Sequence, residues 1–169
     1  MSVPSRRILR VEKYVKKILE ANVYDVAIQT PLEVAPLLSS RTGSEGLLKR
    51  EDMQPVFSFK VRGAYNKISR LTPREKKKGV ITASAGNHAQ GVAMAATTLG
   101  IRSRIVMGEN TPSIKIDAVK AFGGEVILHG DTYDEAAGFA RKEATRSGAI
   151  YIHPFDDADV IAGQGTIGM

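Results

Sequence analysis

A chain of 169 residues, 43% of them hydrophobic, can bury a core and has the length of one domain or of a domain with part of another. It contains no cysteine, which excludes disulfides, thiolate metal sites and cysteine nucleophiles; any nucleophile must be Lys, Ser, Thr or a carboxylate. The formal charge of +6 raises the question of a polyanionic partner, but only 6% of residues are aromatic and none interleaves with the densest basic run, residues 74–78. Stacking on bases is therefore disfavoured, and the charge reads as solubility with a mild attraction for anionic metabolites.

No apolar stretch approaches the roughly 20 residues of a membrane span. The opening residues 1–7 are basic with two serines, and no apolar stretch follows them as it would in a secretory signal. A soluble protein is expected, with no membrane or nucleic-acid partner. The expected compartment is the cytoplasm, with the plastid stroma and the mitochondrial matrix as alternatives.

In chain order, Ile8, Val11, Val15, Ile18 and Leu19 recur at helical spacing and predict an amphipathic helix over 8–21. Thr30-Pro31-Leu32 breaks the next segment, residues 34–38 with their Ser-rich tail predict a short helix closed by Gly43, and residues 47–50 suit a strand. Ala64, Ile68 and Leu71 mark one face of a helix that follows Lys60. Thr72-Pro73 opens a short, solvated, lysine-rich helix that Gly79 stops. Strands are then predicted at 80–82, 103–107, 125–128 and 149–152, alternating with helices at 88–99, 113–122 and 132–147. Four β-branched runs alternating with helices indicate βαβ units. The fold class is α/β, an open parallel sheet with flanking helices.

Ligands of such sheets gather at the carboxyl ends of the strands, where helix N-termini present free amides. After the first of the four strands comes Ala83-Ser84-Ala85-Gly86-Asn87-His88. Its small residues let a ligand approach the backbone, and the new helix offers N–H groups to a carboxylate or phosphate. An ordinary capped turn would need only one Ser or Asn and leaves Gly-Asn-His together unexplained. Upstream, Lys60 sits at the mouth of a helix behind Phe59. A catalytic lysine needs desolvation or a nearby cation, which Phe59, Val61 and Arg62 could supply. On that segment alone an ordinary surface lysine is the better reading.

Other motifs carry less. Gly163-Gln164-Gly165-Thr166-Ile167-Gly168 matches a dinucleotide fingerprint in letters but lacks its acidic residue, and is expected to be a helix start with small residues for close packing. His88, His129 and His153 are too scattered for a metal site and are expected to be structural. Glu51-Asp52 and Asp156-Asp157 are possible acid and base pairs, equally suited to turns. No nucleophile elbow is present.

Residues 51–64, Glu51 to Ala64 with Ser58-Phe59-Lys60 inside, are followed by Ser84-Ala85-Gly86-Asn87-His88-Ala89-Gln90-Gly91. Together they resemble the threonine dehydratases (threonine ammonia-lyases), pyridoxal-phosphate enzymes of the tryptophan synthase β-like family, fold type II. Further likeness runs through Phe122-Gly123-Gly124, His129-Gly130 and residues 160–166, so that nearly everything from residue 22 onward is covered. The resemblance implies pyridoxal 5'-phosphate as cofactor. Lys60 then corresponds to the lysine that bonds it and acts on the substrate Cα, Phe59 to the residue packing on its ring, and Asn87 to the partner of its 3-hydroxyl. Ser84, Ala85, Gly86, Asn87 and His88 correspond to the loop that holds the substrate carboxylate.

The implied reaction is dehydration and deamination of L-threonine to 2-oxobutanoate and ammonia. The Gln54-Pro55-Val56-Phe57 stretch looks more like the biosynthetic, isoleucine-pathway branch than the degradative one. Ala85 stands where related serine racemases resemble one another in carrying an acid/base serine, which favours elimination. A serine racemase/dehydratase is the alternative enzyme, and an inert fragment serving as an interaction module is the alternative outside enzymes. By the same likeness, residues 1–62 belong to a large domain, 63–155 to a small α/β domain, and 156–169 begin the return to the large one. The family's phosphate loop would lie beyond Met169, so an N-terminal fragment with little activity alone is expected. The family is usually homo-oligomeric and acts on a small amino acid.

Overall fold

The computed structural model describes residues 6–169, with side chains from Val11 onward. Residues 1–5 and the side chain of Ile8, on which the reading of the N-terminus partly rested, lie outside the described residues. The helices are α1 (Arg6–Leu19), α2 (Pro36–Thr42), α3 (Lys60–Ser69), α4 (Pro73–Lys78), α5 (Asn87–Thr98), α6 (Ser113–Ala121), α7 (Tyr133–Ser147) and α8 (Ala158–Gly165). The strands are β1 (Leu32–Val34), β2 (Leu47–Lys49), β3 (Val80–Ala83), β4 (Ser103–Met107), β5 (Glu125–Leu128) and β6 (Ile150–Tyr151).

Strands β3 to β6 form one parallel sheet, as the alternating pattern predicts, and the structure sets their order as β5-β4-β3-β6. Its two faces are built by strand alternation. Val80, Ile105 and Met107 join the larger core with α3, α5 and Val160 of α8, while Ile81, Ala83 and Val106 turn the other way onto Ala136, Ala137 and Ala140 of α7. Fully burying one Val or Ile contributes about 1.5–3 kcal/mol, so β3, buried along its whole length, anchors the sheet.

Residues 34–38 depart from expectation. Only Pro36 onward is helical, because a proline suits the first turn of a helix and disfavours helical backbone before it. Leu32–Val34 instead pairs antiparallel with Leu47–Lys49, so that the strand expected at 47–50 is present while its partner over 32–34 is not among the expected strands. Both strands lie at the surface, with Leu32, Val34, Leu47 and Leu48 exposed.

Local chemistry sets the helix starts. Thr72 accepts from the Glu75 amide at 3.3 Å while Glu75 accepts from the Thr72 amide at 2.7 Å, and Thr132 with Glu135 repeats the arrangement at the start of α7. Asp157 caps α8, accepting from the amides of Asp159 and Val160 at 2.8 and 3.1 Å, and also meets Lys67 of α3 at 2.8 Å. The pair ties α8 to α3.

Candidate active site

Helix α3 is clamped between α5 and α8 at glycines. A Cβ on Gly91 would lie 3.1 Å from the Lys60 and Val61 backbone, and one on Gly63 would lie 2.7 Å from the Val160 carbonyl. A Cβ on Gly163 would lie 2.6 Å from the Arg62 carbonyl, and one on Gly165 would run into the Ile18 side chain. The glycine-rich run therefore does serve close packing. It sits at the end of α8 and in the following short 3-10 turn, however, and not at a helix start.

Just ahead of Lys60 the backbone is strained. Phe57 has φ 56, in the left-handed region that side-chain-bearing residues seldom enter. Its amide donates to the Gln54 carbonyl at 2.7 Å, and the buried Gln54 side chain is held by the Ile28 backbone at 2.9 and 2.8 Å. Ser58 then accepts from the Lys60 amide at 3.3 Å, so that α3 opens with Lys60.

The Lys60 ammonium donates to the Pro154 carbonyl at 3.0 Å and lies 5.3 Å from the Phe59 ring centroid. Pro154 belongs to the segment between β6 and α8, whose Ile152 carbonyl accepts from Thr82 at 2.7 Å and meets His88 Nε2 at 3.2 Å. A single strap thus links the carboxyl end of β3, the start of α5 and Lys60. The backbone carbonyl of Pro154 carries no sequence signal. The clue available was its place after the fourth predicted strand, since ligands gather at carboxyl ends.

The loop Ser84-Ala85-Gly86-Asn87-His88 occupies the turn from β3 into α5, as expected. Ser84 accepts from the Gly86 amide at 3.3 Å. The amides of Ala85, Asn87 and His88 take no acceptor among the described residues. A Cβ on Gly86 would meet nothing within 4 Å, so the space before these amides is open. Asn87 is exposed at the rim. A cavity of about 110 Å³ adjoins the loop, bounded by Ser84, Ala85, Gly108, Asn110, Thr111 and Thr132 at the ends of three strands. Free amides and open space at a helix start are what a carboxylate or phosphate requires.

His88 is 3% exposed, and its Nδ1 has no partner among the described residues. Burial, with Lys60 and His153 facing it, pushes its pKa down to about 4. The ring is neutral near pH 7 and structural. His129 stacks on Phe139 with centroids 4.1 Å apart, and His153 Nδ1 accepts from the Asp156 amide at 2.8 Å.

Arg62 does not serve Lys60. Two residues on along a helix, it points to another face. Buried, it meets Glu51 at 2.7 and 2.9 Å, Thr166 at 3.2 Å and the Ile28 carbonyl at 3.2 Å. Although burial opposes the charge on Glu51, the Arg62 guanidinium and hydrogen bonds from Thr30 and Gln54 hold its carboxyl below the usual range. Glu51-Asp52 is not an acid and base pair: Asp52 is occupied by Arg50 at 2.8 Å. Asp157 is likewise consumed as a helix cap.

The profile describing pyridoxal-phosphate dependent enzymes matches residues 23–169. The chain belongs to this family. Pyridoxal phosphate is the family's cofactor; the Lys60 amine with the Phe59 ring beside it fits an aromatic aldehyde, and the open, amide-lined turn fits a carboxylate. Among curated members, the chain is 55% identical over 157 residues to tomato threonine dehydratase 1 biosynthetic, chloroplastic, covering 93% of the chain and 26% of that protein. To the Escherichia coli L-threonine dehydratase biosynthetic IlvA it is 51% identical, covering 93% of the chain and 30% of that protein. The chain thus spans between a quarter and a third of these relatives. Of solved structures, the processed form of tomato threonine deaminase isoform 2 superposes with a TM-score of 0.90 at 57% identity, covering 94% of this chain and 46% of that one. Maize serine racemase gives 0.86 at 34% identity, covering 90% and 47%. No described helix is long and apolar enough to cross a membrane.

Proposed function

We propose that this chain is the Lys60-bearing part of a threonine dehydratase of the biosynthetic type, which converts L-threonine to 2-oxobutanoate and ammonia. The observation that carries this is the Lys60 amine held at the Pro154 carbonyl, on the strap that also anchors His88 at the end of the amide-lined loop. Family membership and the threonine dehydratase names of the relatives support the reading. On this reading residues 1–62 and 156–169 would fall in a large domain and 63–155 in a small one, and the chain spans 26–30% of these relatives. The plant relatives' chloroplastic names suggest a plastid or cytoplasmic setting, and a homo-oligomer is the family's usual form.

When bound, pyridoxal phosphate supplies the sink for the electron pair left at the substrate Cα. Lys60 Nζ would hold it covalently and take the proton from Cα, with the Pro154 carbonyl accepting a hydrogen bond that fixes the amine. Phe59, beside Nζ, would pack on the cofactor ring, and Asn87 at the rim would meet its 3-hydroxyl. The amides of Ala85, Asn87 and His88, with Ser84 and Gly86 shaping the turn, would orient the substrate carboxylate. Ala85 has no side-chain proton to deliver to the opposite face of Cα. This supports elimination over racemisation.

The test is borohydride reduction of the chain after incubation with pyridoxal phosphate, followed by peptide mapping. Label should concentrate on Lys60 and vanish in Lys60→Ala. Label spread over the lysines of α4, unchanged by that substitution, would remove the basis of the reading. In the full-length protein, 2-oxoacid formation from threonine should exceed that from serine, without appearance of D-serine.

A further inference from the structure

The lysine-rich run that the sequence offers only as a solvated helix lines a cleft at the end of the sheet away from Lys60. The chain leaves α4 at Lys77, Lys78 and Gly79 to start β3. Arg102 and Arg104 stand at the start of β4, and α7 ends there with Glu143, Arg146 and Ser147. The cleft volume is about 520 Å³. Because all strands of this sheet run parallel, this amino end is separated from the Ser84-to-His88 loop by the full length of β3.

Charge in the cleft is one-sided. Five cationic side chains line it against one carboxylate, Glu143. That carboxylate is fully engaged: Arg104 meets it at 2.6 Å and Arg146 at 2.8 Å, and the two guanidinium groups hold its pKa down to about 2. Arg104 is the structural member, 13% exposed, with its second arm on Ser147 at 2.6 Å. Arg102 meets Glu125 at 2.6 Å, but its side chain is 72% exposed, as that of Arg146 is 78% exposed. Exposed pairs of this kind hold their partners weakly, at most about 1 kcal/mol. Lys77 and Lys78 have no carboxylate partner among the described residues.

A simpler account is that these cations only complement the carbonyl ends of α4 and α7, and the Lys78 head does lie beside Gly148, the C-cap of α7. Two helix C-termini present together about one negative charge. With Glu143 and Glu125 also counted, about two positive charges remain uncompensated around a concave space. No aromatic side chain lines it, so a base or sugar ring finds no stacking surface there.

We propose that this cleft is a second anion site that takes a small ligand carrying two or three linked phosphates, through Lys77, Lys78, Arg102 and Arg146, with Arg104 and Glu143 as its rigid floor. Charge-assisted bonds from several mobile cations favour a compact multivalent anion over orthophosphate. The concave shape and the lack of aromatics disfavour a nucleic-acid strand, which would need an extended basic groove with stacking side chains.

Titration of the chain with inorganic triphosphate at low salt, followed calorimetrically, tests this. Saturable binding in the micromolar to low millimolar range is expected, at least about tenfold tighter than orthophosphate and weakening steeply with salt. The doubly substituted Lys77→Gln/Lys78→Gln chain, whose exposed changes leave the core untouched, should lose at least about tenfold in affinity, as should Arg146→Gln. Lys60→Ala should bind triphosphate unchanged. Absence of saturation, equal affinity in the double variant, or loss on Lys60→Ala would each overturn the proposal. So would tight binding of a single-stranded oligonucleotide that triphosphate fails to displace. The outcome is independent of the Lys60 labelling experiment.

Discussion

Below pH 6.5 the chain should lose stability through one side chain, His88. The ordinary histidine pKa is near 6.5 and the folded value about 4, set first by burial and then by the facing Lys60 and His153 charges. Between these values the unfolded chain takes up a proton that the folded chain refuses, so stability is greatest above pH 6.5 and falls with falling pH. The loss from this group amounts to about 2 kcal/mol between pH 7 and pH 5 and levels off near about 3 kcal/mol below pH 4. Between pH 7 and pH 5 Glu51, Glu143 and Asp157, whose pKa values are depressed, stay largely ionised in both states and add little slope. Urea unfolding at pH 7, 6 and 5, followed by circular dichroism, should show the wild type losing about 2 kcal/mol more than His88→Gln. Glutamine can still donate to the Ile152 carbonyl but does not titrate. Parallel pH profiles for the two proteins would refute the assignment.

Other substitutions probe the clamp around α3. Arg62→Met strands the Glu51 carboxylate and should cost about 3–5 kcal/mol by denaturant melting, with part of the loss recovered in Arg62→Met/Glu51→Gln. Gly63→Ala drives a Cβ to 2.7 Å from the Val160 carbonyl; it should cost about 1–3 kcal/mol and reduce borohydride labelling of Lys60 by moving the start of α3. Thr132→Ala removes the side-chain half of the capping box on α7 and should cost about 1 kcal/mol, without changing Lys60 labelling.

The clamp also explains why a lysine at a helix mouth can be held in one place. Lys60 has a four-carbon stem and would sample many rotamers on an open helix. Here its backbone is pressed against Gly91, its neighbour Arg62 is locked to Glu51, and its amine meets a carbonyl on a strap tied to β3 and α5. Each restraint comes from a different part of the chain. Their convergence is a property of packing and is invisible in the segment 58–62 alone.

Alternation of short apolar runs with helical periods was enough, by itself, to determine the four-stranded parallel sheet, because strand and helix periods are local and every element from β3 to β6 carried its own. The amide-lined turn was equally legible, since small residues before a helix start have one cheap use at the end of a buried strand. The antiparallel β1–β2 pairing was not, as three-residue strands pair through contacts distant in sequence. Nor was the fate of the charged residues. Arg62, two residues after Lys60 in sequence, was consumed by Glu51, whereas Lys77 and Lys78 were joined by Arg102, Arg104 and Arg146 into one cleft. Charge acts through space over several ångströms, so which charges meet is decided only when the helices and strands have packed.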